Sequence, residues 1–186
     1  DKTPGSFIQL DSFTMGSNFS IAVEFKLEEL VNPSISDHFA SLINLGYDQN
    51  ISTNFFTLGI KSSNNKLYIL YRNNTNTLTN IDGDTFNFLV GTIYKVVIVR
   101  DNSNLILYVN GINLNHNITN FTTGVIDGAT GFTFGFTNQR NSFPGNYLYK
   151  NLAIFKTRSI TLEQINTEGI DPKIAIKKPI AAELPI

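Results

Sequence analysis

Tyr94–Leu114 reads YKVVIVRDNSNLILYVNGINL, and its punctuation decides the fold. Two apolar runs, Tyr94–Val99 and Leu105–Val109, flank a turn made of Asp101, Asn102, Ser103 and Asn104. A second turn, Asn110-Gly111, follows at once. Asn-Gly is favoured in tight hairpins because both central residues of a type I′ turn take positive φ. The stretch therefore predicts three consecutive antiparallel strands.

Working outward, the same rhythm recurs. Phe19–Leu27 (FSIAVEFKL) alternates, with Phe19, Ile21, Val23, Phe25 and Leu27 on one face and Ser20, Ala22, Glu24 and Lys26 on the other, the period-2 pattern of a strand with one buried face. Ser6–Leu10, Phe39–Leu45, Phe55–Lys61, Leu67–Arg72, Phe132–Phe136 and Asn146–Phe155 read as further strands. Phe86–Val90 reads as a short strand or bulged edge, Thr137–Gly145 as a loop, and Asp82-Gly83-Asp84 as a turn. Thr161 and Gln164 form a capping box, which predicts one short helix over Leu162–Glu168 ending at Gly169. Many short strands with frequent turn signals describe an all-β sandwich. One domain over 1–170 is expected, followed by an extended, Pro-containing tail or linker over 171–186.

Composition narrows the function. At 186 residues the chain is long enough for a full hydrophobic core, and 41% hydrophobic residues exclude wholesale disorder. A formal net charge of -1 supplies no electrostatic footprint for nucleic acid. No apolar run approaches the length of a membrane span, so neither nucleic acid nor membrane insertion is expected. The absence of cysteine removes disulfides, thiol nucleophiles and thiolate metal sites together. Without an initiator Met or a signal-like segment, the chain reads as a mature product or a fragment.

Tyr108-Val109-Asn110-Gly111 after an apolar strand, with Arg100-Asp101 before the turn, resembles the signature of laminin-G-like domains in the concanavalin A-like lectin/glucanase superfamily. Phe132–Phe136, Gly145, Leu152–Phe155 and Ile160–Ile165 are similar to the family's C-terminal pattern. The resemblance implies a jelly-roll β-sandwich of two antiparallel sheets, one of them concave. Tyr94 stands near the position where relatives often carry Trp, and the Cys pair of many animal members is missing. Both departures point away from an animal matrix protein and towards a bacterial or viral source. The resemblance also implies a rim site for Ca²⁺, for which Asn54, Asp48 and Asn138 are the matching oxygen donors. Calcium takes roughly six to eight oxygen ligands and favours carboxylates, so Asn in place of Asp weakens the site.

Glucanases of this superfamily need two carboxylates on one strand face, spaced E-x-D-x-x-E. Glu24, Glu28 and Glu29 approach that spacing but lack the intervening acid. His38 and His116 stand apart, with no triad or zinc pattern around them. No enzyme is expected. Sugar recognition uses an exposed aromatic ring together with Asn, Asp or Arg, and the candidates are Tyr47, Tyr71, Arg72, Arg140, Tyr147 and Tyr149. Tyr71 and Arg72 face opposite sides of one strand, so at most one lies on a given surface. Tyr147 and Tyr149 share a face with Asn151, Ala153 and Phe155, and core packing is the alternative role for each tyrosine. Asn18, Asn50, Asn73, Asn117 and Asn120 lie in N-x-Ser/Thr sequons, which an Asn- and Thr-rich chain produces by chance and a bacterial product leaves bare; on a eukaryotic secretory route the loop residues Asn50 and Asn73 would be the carriers.

Three functions follow. The first is a non-catalytic, extracellular recognition or adhesion module that binds glycan or protein at a cell or virion surface. The second is a structural or decoration element of a capsid, fibre or surface layer, with the 171–186 tail pinned on a neighbouring subunit. The last is a glucanase-type hydrolase, which the absent acid pair disfavours.

Overall fold

The computed structural model describes residues 9–10, 16–29, 39–45, 55–61, 63–72, 78–114, 132–134, 142–144, 147–155 and 159. In chain order the strands are β1 (Gln9–Leu10), β2 (Phe19–Leu27), β3 (Phe39–Leu45), β4 (Phe55–Lys61), β5 (Lys66–Arg72) and β6 (Leu78–Thr85). There follow β7 (Ile93–Asp101), β8 (Asn104–Val109), β9 (Ile112–Asn113), β10 (Phe132–Phe134), β11 (Ser142–Pro144) and β12 (Tyr147–Phe155). They form a jelly-roll sandwich of two sheets. One has seven strands, ordered β1-β10-β3-β4-β5-β6, with β11 also paired to β3. The other has five, ordered β12-β2-β7-β8-β9. All pairings are antiparallel except β11 on β3.

The opening stretch forms β7, β8 and β9 as expected. Asn110 and Gly111 both take positive φ, 50° and 80°, and Asn102 takes 51° in the preceding turn. Asn110 also continues the ladder. Its N–H donates to Lys95 O at 2.8 Å, and its Oδ1 accepts from the Lys95 N–H at 2.9 Å. Phe19, Ile21, Val23, Phe25 and Leu27 all enter the core between the sheets, where they meet Phe56, Leu58, Leu67, Ile69, Val96 and Ile98. Burial of side chains this size stabilises by about 1.5–3 kcal/mol each, which makes this layer the main source of stability. One cation shares it. Arg100 is 1% exposed, with its guanidinium 5.9 Å from the Phe19 ring centroid and its Nε donating to Asn102 O. Burial pulls its pKa below the ordinary guanidinium value, opposed by the nearby Tyr71.

Three expectations of secondary structure change. Asp82-Gly83-Asp84 is strand, not turn, and belongs to β6. Gly83 is there for closeness: a Cβ on it would meet Leu107 Cδ1 at 3.1 Å and Leu114 O at 3.4 Å. At this point the edges of the two sheets touch, and the Asp84 N–H donates to Leu114 O. Phe86–Val90 is not strand. It is a connection whose Phe86 and Phe88 rings lie 5.8 Å and 4.9 Å from the Tyr94 ring centroid. Within the expected loop 137–145, Ser142–Pro144 pairs with β3. Three residues ending in Pro carry almost no strand signal. The predicted helix over Leu162–Glu168 and the 171–186 tail lie outside the described residues.

The sheets are joined by β12. Its register against β2 shifts between Tyr149 and Asn151, which bulges Lys150. A bulge inserts one residue and exchanges the faces beyond it. Tyr147 and Tyr149 therefore point inward, as do Leu152 and Ile154, while Ala153 and Phe155 join Ala22, Val97, Val99, Ile106 and Tyr108 on the outer face. The expectation that Tyr147 and Tyr149 share a face with Asn151, Ala153 and Phe155 fails for this reason. Opposite them, β3 carries its own register shift between Ser41 and Ile43. The Tyr149 hydroxyl donates to Leu42 O at 2.6 Å, and the Tyr147 hydroxyl to Ala40 O at 3.4 Å.

Two stability outcomes follow. Tyr149→Phe removes the donor to a bulge carbonyl and should cost about 1–2 kcal/mol, read as a melting temperature lower by about 2–8 °C. An unchanged melting temperature would mean that another donor serves Leu42 O. Gly83→Val should cost about 1–3 kcal/mol by forcing Leu107 aside, and a neutral result in denaturant titration would refute the close approach of the sheets there.

Candidate functional site

The outer face of the seven-stranded sheet is built by alternation, broken at one point in β3 and one in β6. In β4, Phe56, Leu58 and Ile60 enter the core, so Thr57, Gly59 and Lys61 face out. In β5, Leu67, Ile69 and Tyr71 enter the core, leaving Lys66, Tyr68, Leu70 and Arg72 outside. In β6, Ile81 is inside, with Asn80 and Asp82 outside, and beyond Asp82 the pairing with β5 shifts register. The β3 bulge lets Leu42 and Ile43 both point inward between outward Ser41 and Asn44. The registers place Asn44, Thr57, Leu70 and Asn80 in one row across four strands, and Ser41, Gly59, Tyr68 and Asp82 in the next.

This face has two halves. Over β3, β4 and the end of β5 it is closed: Ser41, Asn44 and Thr57 are all fully buried, and Arg72 is 8% exposed. Thr57 Oγ1 donates to Asn44 Oδ1 at 2.5 Å. Over the rest of β5 and over β6 it is open. Asn80 and Asp82 are exposed, and Tyr68, Leu70 and Lys61 are half-buried. Lys61 links the open half together, with its Nζ 3.4 Å from Asp82 Oδ2 and 5.6 Å from the Tyr68 ring centroid. An aromatic ring and an aliphatic side chain beside a carboxylate, a carboxamide and an ammonium make a surface suited to sugars. The ring takes the C–H face, and the polar groups take the hydroxyls.

Of the residues singled out from sequence, Tyr71 is in the core, fully buried, and Arg72 lies on the opposite side of β5, in the closed half. Tyr147 and Tyr149 face between the sheets, and burial drives the Tyr147 hydroxyl pKa far upward. For the three tyrosines the packing role is the one the structure takes. Tyr47, Arg140 and the calcium candidates Asp48, Asn54 and Asn138 lie outside the described residues. Among the described residues, no group of three or more His, Asp or Glu could hold a metal ion. Tyr68, Lys61 and Asp82 were not singled out. The signal for Tyr68 was present: in KLYILYR it alternates with Leu67 and Ile69, which puts it opposite Tyr71. Asp82 was hidden by the turn reading of its glycine.

Glu24, the acid closest to a glucanase spacing, lies on the outer face of the other sheet. Its carboxylate accepts from Asn151 Nδ2 at 2.9 Å and pairs with Lys150 Nζ at 2.8 Å. These two bonds hold its pKa below the ordinary carboxylate value against the opposing effect of burial. Across the strand pair, Lys95 is pulled down by burial and partly restored by Glu24. The sequon at Asn18 is also engaged, because Asn18 Oδ1 accepts from the Asn102 N–H at 2.7 Å.

Two antiparallel sheets, a tight Asn-Gly hairpin and a polar outer face define a lectin-like sandwich. The laminin-G family model of the concanavalin A-like lectin/glucanases superfamily matches residues 2–166, and the chain belongs to that family. Among curated proteins, no sequence matches it. Several solved structures share the fold. Domain 4 of AbnA, an extracellular arabinanase from Geobacillus stearothermophilus, in complex with arabinotriose, superposes with a TM-score of 0.62 at 19% identity, covering 86% of this chain and 70% of that one. The Ruminococcus gnavus IT-sialidase CBM40 bound to α2,3 sialyllactose gives 0.57 at 14%, covering 84% and 95%. The botulinum neurotoxin serotype G binding domain gives 0.66 at 14%, covering 89% of this chain but only 40% of the toxin chain. Among the described residues, no helix is long and apolar enough to cross a membrane.

The Glu24 contacts carry a pH signature. A carboxylate with a lowered folded pKa contributes stability above its unfolded value, and that contribution disappears as pH falls through the folded value. Wild-type melting temperature should therefore fall below about pH 4, the unperturbed Glu range, and Glu24→Gln should flatten part of that fall. Superimposable acid limbs for the two proteins would show that the Lys150 and Asn151 contacts contribute nothing.

Proposed function

We propose that this domain is a non-catalytic glycan-recognition module acting at a cell or virion surface, with its ligand seated on the open half of the seven-stranded sheet. The observation that carries the reading is the Tyr68 ring, set on an accessible sheet face with Lys61 and Asp82 beside it and Asn80 in the adjoining row. Solved sandwiches of this fold hold arabinotriose and α2,3 sialyllactose, which supports a glycan as the ligand class. Glu24 is engaged by Lys150 and Asn151 on the outer face of the other sheet, and the sequence places no partner acid at the glucanase spacing from it, which supports the non-catalytic reading.

The test is a glycan array probed with and without calcium, followed by titration of the best hit. Tyr68→Ala should weaken binding about tenfold or more, since it removes the stacking surface and leaves the fold intact. Loss of binding with chelator would assign a calcium role to Asp48, Asn54 and Asn138. A blank array in both conditions would overturn the glycan reading and favour an assembly element that uses the 171–186 tail.

A further inference from the structure

We propose that Asp82 makes this surface selective for uncharged sugars. The inference rests on the glycan reading above and concerns only the charge of the ligand. The fold itself does not decide the matter, because one solved sandwich holds the neutral arabinotriose and another the acidic α2,3 sialyllactose. The decision lies with the side chains around the ring.

Tyr68 and Asp82 are direct cross-strand partners in β5 and β6. Lys61 reaches them from β4, and both of its described contacts are within the site, 3.4 Å to Asp82 Oδ2 and 5.6 Å to the Tyr68 centroid. An ammonium is a compact point charge that would otherwise attract a carboxylate or sulfate placed over the ring. Here Asp82 neutralises it. The two side chains are 22% and 35% exposed. They are partly withdrawn from solvent, and at this separation, well inside the screening length of about 8 Å at physiological salt, the two charges cancel locally. An acidic sugar stacked on Tyr68 would face the Asp82 carboxylate, with the nearest described cation already neutralised. A neutral sugar suffers no repulsion. Its hydroxyls donate to the Asp82 carboxylate, and the Asn80 carboxamide both donates and accepts.

The experiment probes full-length wild-type, Asp82→Asn and the double variant Lys61→Gln/Asp82→Asn against neutral oligosaccharides and against sialylated, uronate-containing and sulfated ones. Wild-type should bind neutral glycans. Asp82→Asn should gain about tenfold in affinity for acidic glycans, a gain that shrinks with added salt and vanishes in the double variant. Matching melting temperatures check that the variants are folded. Wild-type that prefers acidic glycans, or Asp82→Asn with an unchanged preference, would overturn the selectivity and leave glycan recognition standing. An array blank for all three proteins would overturn the glycan reading itself, and this inference with it.

Discussion

The hydroxyl of Tyr149, 2.6 Å from the carbonyl oxygen of Leu42, joins the two sheets where both are irregular. β3 shifts register at Leu42 and β12 shifts register at Lys150. A bulge leaves ladder groups without strand partners, and a buried carbonyl without a donor is costly. The tyrosine removes that cost and sets the distance between the sheets at this edge. Its neighbour Tyr147 bonds Ala40 O and packs its ring 5.1 Å from that of Phe25. The aromatic layer then runs through Tyr94 to Phe86 and Phe88, fixing the connection that leads into β7.

The β3 bulge also shapes the surface. By letting Leu42 and Ile43 both enter the core, it returns Ser41 and Asn44 to the outer face, where Asn44 meets Thr57. The closed polar half of that face follows from this shift, and the open half follows from the alternation of β5 and of β6 as far as Asp82. An irregularity that repairs the core on one side thus divides the face on the other.

Most of the architecture was legible in the sequence, because alternation and turn chemistry are local. Phe19–Leu27 shows its buried face in its letters, and Asn110-Gly111 announces its hairpin. The misreadings have specific physical causes. A glycine between two aspartates signals a turn, yet Gly83 serves the approach of Leu107 and Leu114, a contact between distant parts of the chain. The Lys150 bulge is invisible because any residue accommodates it, and one unseen insertion reverses every face that follows. For the site, the sequence named Tyr71, which the structure buries, and the proposal rests on Tyr68, three residues earlier on the same strand. Period-2 reasoning contained the answer, since a tyrosine between Leu67 and Ile69 faces away from them. The assignment of Lys61 and Asp82 needed the strand order β4-β5-β6, which no local pattern contains.

Lys150 has a further consequence. β12 is the outermost described strand of its sheet. A strand from another molecule could extend that sheet only along an uninterrupted row of backbone donors and acceptors. The bulge breaks the row midway, and docking there would dehydrate an ammonium already committed to Glu24. The bulge and the committed ammonium thereby set this edge of the sheet against strand addition.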